Sequence, residues 1–163
     1  MKTKLFITMV CLIFSAFAFG QNKQPSKAEI KATKVENMIN SGYYEITVNQ
    51  ANPMSGNVIH LAYNYSVRVS GDSVYISLPY FGRVYSTPYG GEGGIKIASL
   101  MNDYKVNFRK KKSYSIDFKS KSAIDIYKFS IDLTKNGMAF IHVICNNRQT
   151  ISYSGEIISI KRP

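Results

Sequence analysis

The sequence predicts a mainly β domain: an antiparallel meander, with one amphipathic helix packed on it from the N-terminal side. Three observations carry that expectation. From Tyr43 onward, apolar residues recur at every second position. Turns containing glycine or asparagine separate the alternating runs by a few residues only. Ahead of Tyr43 the apolar spacing is helical instead. Links this short exclude parallel crossovers, which need roughly a dozen residues or more. The sheet therefore either curls into a barrel-like form or folds into two layers, and the periodicity leaves both open.

The first twenty residues have the form of a secretory signal. Lys2 and Lys4 make a basic start, Leu5 to Phe14 is apolar except for Thr8, and the small residues Ser15, Ala16 and Ala18 follow. The apolar run is shorter than the ~20 residues a transmembrane helix needs. Cleavage fits after Ala18 or Gly20, with Gly20 favoured and Gln21 then first. Cys11 lies inside the apolar run, so a lipid anchor at the cleavage point is not expected. Loss of Lys2 and Lys4 lowers the formal charge from +11 to +9. That excess favours anionic partners at long range. For an exported chain these are an anionic envelope component or another envelope protein, and not nucleic acid. One cysteine, Cys145, then remains, so an internal disulfide is excluded and a core must hold the domain together.

Residues 21–26 form a polar lead-in, and a single domain is expected over 27–163. Ser26 and Glu29 have capping-box spacing. Ala28, Ala32, Val35, Met38 and Ile39 form one stripe, and Gly42 is a fitting stop, so a helix is expected at about 27–41. The stripe lacks Trp, Phe and Leu, which favours a lid on the domain over a membrane-surface helix.

Tyr44, Ile46 and Val48 open the period-two region. Leu61 to Val69 and Val74 to Leu78 flank the turn Ser70-Gly71-Asp72 and read as a hairpin. Ile95 and Ile97 belong to another strand. Tyr104, Val106 and Phe108 alternate with polar residues, as do Tyr114, Ile116 and Phe118, then Tyr127, Phe129, Ile131 and Leu133. Such alternation means one buried and one wet face. Met138 to Cys145 is apolar on both phases and is expected to be covered on both sides. In the last strand Ile151 and Tyr153 have one parity and Ile158 and Ile160 the other, so a β-bulge is expected at Gly155 between them.

Catalytic chemistry is scarce. There is no Cys-x-x-Cys, and His60 and His142 lie far apart. His142 shares parity with Phe140 and Ile144 and is expected in the core or half-buried, while Cys145 is expected to be an inert buried thiol. Gly90-Gly91-Glu92-Gly93-Gly94 fails both phosphate-loop templates, because Ile95 follows where a lysine is required and no helix pattern follows. Carboxylates are few and fall in turns or on wet faces. No catalytic residue, metal site or cofactor is therefore assigned, and the chain is read as non-enzymatic.

Two surfaces remain. Arg109-Lys110-Lys111-Lys112 lies between two amphipathic strands, as a solvated hairpin tip able to contact anions. The second is the stretch from Pro79 to Gly94. Its prolines and glycines suit strand ends and turns, but Tyr80, Phe81, Arg83 and Tyr89 between them offer flat aromatic contact and a cation.

Several strings occur in order along the chain: Leu78-Pro79-Tyr80-Phe81-Gly82-Arg83, Tyr89-Gly90, Gly93-Gly94-Ile95, Asn136-Gly137-x-Ala139 and Asn147-Arg148-Gln149-x-Ile151-Ser152-Tyr153-x-Gly155. With these the chain resembles the secreted bacterial family catalogued as domain of unknown function 4251, over about residues 25–160. The resemblance implies export in Gram-negative bacteria, a small β-rich domain and no assigned activity. In a closed sheet early and late strands meet, so Arg148 is expected near Arg83, and both join Tyr80, Phe81 and Tyr89 as candidate ligand contacts. The resulting expectation is an exported periplasmic or extracellular protein that binds a small molecule, glycan or protein. A structural or assembly role in the envelope is the alternative, and an unrecognised enzyme the least favoured one.

Overall fold

Lys27–Ser41 forms helix α1, begun by the capping box. Ser26 Oγ accepts the Glu29 amide at 3.2 Å, and Glu29 Oε2 accepts the Ser26 amide at 2.8 Å. Such a cap contributes about 1 kcal/mol. Gly42 ends the helix at φ 69°, the left-handed conformation that costs glycine least. The computed structural model describes residues 24–86, 93–109, 113–122 and 125–160. The leader expected over 1–20, Tyr89, and Lys110 to Lys112 lie outside the described residues.

Among the described residues eight strands follow: β1 (Tyr43–Pro53), β2 (Ile59–Ser70), β3 (Ser73–Pro79), β4 (Gly94–Arg109), β5 (Ser113–Lys121), β6 (Ile126–Leu133), β7 (Met138–Ile144) and β8 (Ile151–Ser159). Each pairs antiparallel with the next, and β8 returns to pair with β1, so the meander closes into a barrel. Closure decides between the two architectures the sequence left open. It also pairs the outer edges of β1 and β8, which a two-layer sandwich would leave bare.

Inward residues from every strand fill the barrel. Tyr44, Ile46, Val67, Val74, Leu78, Ile95, Ile116, Phe129, Ile131, Ile141 and Tyr153 are all buried. Burying each large apolar side chain contributes roughly 1.5–3 kcal/mol. Phe118 and Phe129 stack with centroids 5.0 Å apart. One end of the barrel is covered by α1, whose Val35 and Ile39 are buried in the same core. This is the helix end. The other is the loop end, formed among the described residues by 54–58, 80–86, 93 and 145–150.

Three strand-level expectations need correction. Gly155 carries no bulge. β8 keeps one phase, with Ile151, Tyr153, Gly155 and Ile157 inward and Ile158 outward. The extra residue sits on β1, between Val48 and Gln50, directly opposite Gly155. There the β1 backbone presses so close that a Cβ on Gly155 would overlap the Thr47 carbonyl oxygen. The glycine belongs to the bulge, but from across the ladder. β7 is not covered on both sides either. Ala139, Ile141 and Val143 are buried, while Met138, Phe140 and Ile144 are exposed. Apolar residues on an outer face are ordinary in proteins of this size. His142, expected in the core or half-buried, lies on the same exposed face, with Nδ1 2.9 Å from Ser152 Oγ.

β4 changes phase halfway. Ile95 and Ile97 point inward on odd positions, and Tyr104, Val106 and Phe108 share the inward face on even ones. The switch is a bulge between Asn102 and Lys105, where Asp103 adopts φ 57° and its carboxylate receives Lys119 Nζ at 2.6 Å.

Candidate functional site

The loop end is organised by the strings that flank the barrel's third and eighth strands. Arg83 and Arg148 do come to the same end. Val84 bridges to Arg148, the Gln149 amide donates to the Arg83 carbonyl at 2.9 Å, and the Tyr85 amide donates to the Asn147 carbonyl at 2.8 Å. Gln149 Oε1 accepts the Arg83 amide at 3.3 Å. Residues 83–86 are thus pinned as a short strand-like segment against residues 147–149.

The two arginines have different surroundings. Arg148 is 5% exposed. Its guanidinium donates to the Gly94 carbonyl at 3.2 Å and lies 5.0 Å from the Tyr80 ring centre, in cation–π range. Tyr80 Oη donates to the carbonyls of Gln149 (2.8 Å) and Arg83 (2.9 Å), sharing its single proton. Tyr153 Oη donates to the Pro79 carbonyl at 2.6 Å. Burial pushes the Tyr80, Tyr127 and Tyr153 phenols up, and the positive charge of Arg148 opposes that in each. Burial likewise raises the half-buried Cys145 thiol, whose Sγ lies 3.8 Å from the Arg148 carbonyl. Arg148 is therefore a plug that ties the loops to the barrel.

Arg83 and Phe81 face outward instead. They line a groove of about 550 Å³ with Pro53, Met54, Ser55, Ile59, Gly82 and Gln149. Phe81 is 36% exposed. Arg83 forms no salt bridge among the described residues. Gly82 is required beneath Tyr80, because a Cβ there would meet Tyr80 Oη at 2.6 Å. The loop after β1 supplies the second wall, and sequence reading missed it. The only signal was Met54, an apolar residue in the turn Pro53-Met54-Ser55-Gly56, and it is strongly exposed. Gln149 was visible only as part of a string.

Other candidates lie elsewhere. Arg109 is at the helix end, where its guanidinium meets Asp132 at 3.1 Å and Ser115 Oγ at 3.1 Å. A smaller cleft of about 280 Å³ on the outer faces of β4 to β7 is bordered by Asp103, Lys105, Asp117, Lys119, Lys128 and His142. There Lys119 is already matched by Asp103, and Asp117 accepts Ser130 Oγ at 2.6 Å. Among the described residues no group of three or more His, Cys, Asp or Glu side chains is placed to hold a metal ion. Among them, too, no helix is long and apolar enough to cross a membrane.

A family model described as domain of unknown function (DUF4251) matches residues 26–157. The crystal structure of a DUF4251 family protein from Bacteroides eggerthii is similar in fold, with a TM-score of 0.63 and 17% sequence identity. The match covers 80% of this chain and 88% of that one. No curated protein matches the sequence.

Proposed function

The chain belongs to the family described as domain of unknown function 4251, and with that as premise we propose that it is an exported envelope protein that binds a small amphipathic anion at the loop end of its barrel. The observation that carries this is the groove beside Phe81 and Arg83. Its volume lies within the roughly 300–1,000 Å³ of small-molecule sites. Its walls combine Met54, Ile59, Pro53 and Phe81 with one guanidinium, a pairing suited to an apolar body ending in a carboxylate. Among the described residues the lining offers apolar surface, amide and hydroxyl groups and a guanidinium that stays protonated, a set suited to holding a ligand. Export is supported by the basic start, short apolar run and small residues of positions 1–20.

Titration of the mature chain with octanoate and with octanol, followed by amide chemical shifts, tests the site. Octanoate is expected to move Phe81, Arg83 and Gln149 and to bind about tenfold more tightly than octanol, as one charge-assisted contact allows. Arg83→Ala should erase that preference, and Phe81→Ala should weaken both ligands. Equal binding of the two compounds by the parent chain, or shifts confined to other faces, would overturn the reading.

A further inference from the structure

The far half of β4 is a strand with one free edge. β3 covers only Gly94 to Leu100, because the chain turns back at Gly71 and Asp72. The Met101 amide still donates to the Asp72 carbonyl at 2.8 Å. Beyond it, among the described residues, Asn102 to Arg109 pairs with β5 alone. All eight of these residues are exposed. A strand edge carries a row of amides and carbonyls that can pair with another chain.

The side chains along this edge are sorted by face. Tyr104, Val106 and Phe108 lie on the barrel's inner face, opposite or beside buried Tyr114, Ile116 and Phe118. Tyr104 reaches the core through Tyr44, hydroxyl to hydroxyl at 3.2 Å. Yet the three remain 37%, 40% and 65% exposed, because among the described residues no strand pairs with them on the β3 side. Lys105, Asn107 and Arg109 occupy the outer face. Lys105 forms no salt bridge among the described residues. The bulge at Asp103 marks where the exposed ladder begins.

We propose that the β4 edge from Tyr104 to Arg109 receives an extended segment of another protein, added as a further strand, in which apolar residues alternate with acidic ones. Backbone pairing supplies affinity in this mode, and alternate side chains supply specificity. The apolar positions of the added strand complete the cover over Tyr104, Val106 and Phe108. Its acidic positions meet Lys105 on the other face, within the field of an Arg109 that is itself paired with Asp132 at 3.1 Å. A second copy of this chain is the poorer occupant. Each copy carries a formal charge of +11, or +9 without its leader, and edge-to-edge pairing would bring the Lys105 side chains of both toward one another. The edge lies toward the helix end, away from Arg83, so it and the groove can be tested separately.

The experiment is fluorescence anisotropy of the mature chain with a labelled peptide of sequence Glu-Ile-Glu-Val-Glu-Ile-Glu. Two N-methylated versions accompany it, each blocking one of the two alternating sets of amides. Saturable binding is expected, with one methylated set losing at least about tenfold in affinity and the other nearly unaffected, since only one set faces the edge. Lys105→Glu should weaken the parent peptide by about tenfold, and Phe108→Ser should weaken it while leaving octanoate binding intact. The proposal is overturned if both methylated peptides bind as well as the parent, since charge alone then holds them. It is equally overturned if sedimentation shows the chain dimerising through this edge, with Phe108→Ser restoring the monomer.

Discussion

The two ends of the barrel are closed by opposite chemistries. At the helix end α1 inserts Val35 and Ile39 into the core, and closure rests on apolar burial. At the loop end a buried guanidinium, two tyrosine hydroxyls and a glutamine side chain tie loop carbonyls and amides together. Burial is tolerant of angle, whereas hydrogen bonds fix position. The contrast teaches why the proposed binding groove sits where it does. A groove whose shape must persist is better framed by directional contacts, and a helix lid serves an end that need only be dry.

The comparison can be broken most forcefully at the helix end. Ile39→Ala removes a 5%-exposed side chain from the core, and about 3 kcal/mol of stability should be lost. Urea unfolding should show this as an earlier midpoint, and hydrogen exchange should quicken throughout the barrel. Arg148→Met should cost less, about 2 kcal/mol, because similar bulk remains while the Gly94 carbonyl loses its donor. Here exchange should quicken chiefly at 80–86 and 145–149. A uniform response to Arg148→Met, or a local one to Ile39→Ala, would erase the distinction between the ends.

The smallest effect at neutral pH is one seen only in alkali. The folded-state pKa values of Tyr80, Tyr127 and Tyr153 are raised, with burial the largest cause. A raised phenol leaves stability intact below the unfolded value of about 10 and loses it as pH climbs from there through the folded value. Arg148 opposes the shift, so its removal should raise these phenols further. Arg148→Met should therefore steepen the alkaline loss of stability, read by phenolate absorbance alongside unfolding curves. An unchanged alkaline limb in the variant would place the guanidinium's charge too far from the phenols to matter.

Much of this architecture could be read from residues alone, and the misses have physical causes. Alternation located the strands because each has one buried face. It could not reveal closure, since a buried face does not say whether β1 and β8 touch. The phase break in β8 was read onto Gly155 because Ile158 matches Ile157 in hydrophobicity, and only the ladder shows which of them points inward. In β1 the break was hidden, because Asn49 and Gln50 separate Val48 from the small Ala51. At the loop end, strand order brought Arg83 and Arg148 together correctly. It did not separate the exposed arginine from the buried one, which depends on where Tyr80 lies. The groove's second wall came from a turn with no distinctive residue except Met54.

Pairing of Tyr44 with Ser159 has a consequence for how the molecule assembles. Among the described residues, seven of the eight ladders join strands that are consecutive along the chain, so each can form by local zipping. The β1–β8 seam alone must bring together segments from opposite ends of the domain, and it must pass the tight crossing at Gly155. We expect this seam to close last on the folding pathway, with Gly155→Ala accelerating unfolding far more than it slows refolding. The barrel is then, kinetically, an open ribbon whose final stitch is a glycine.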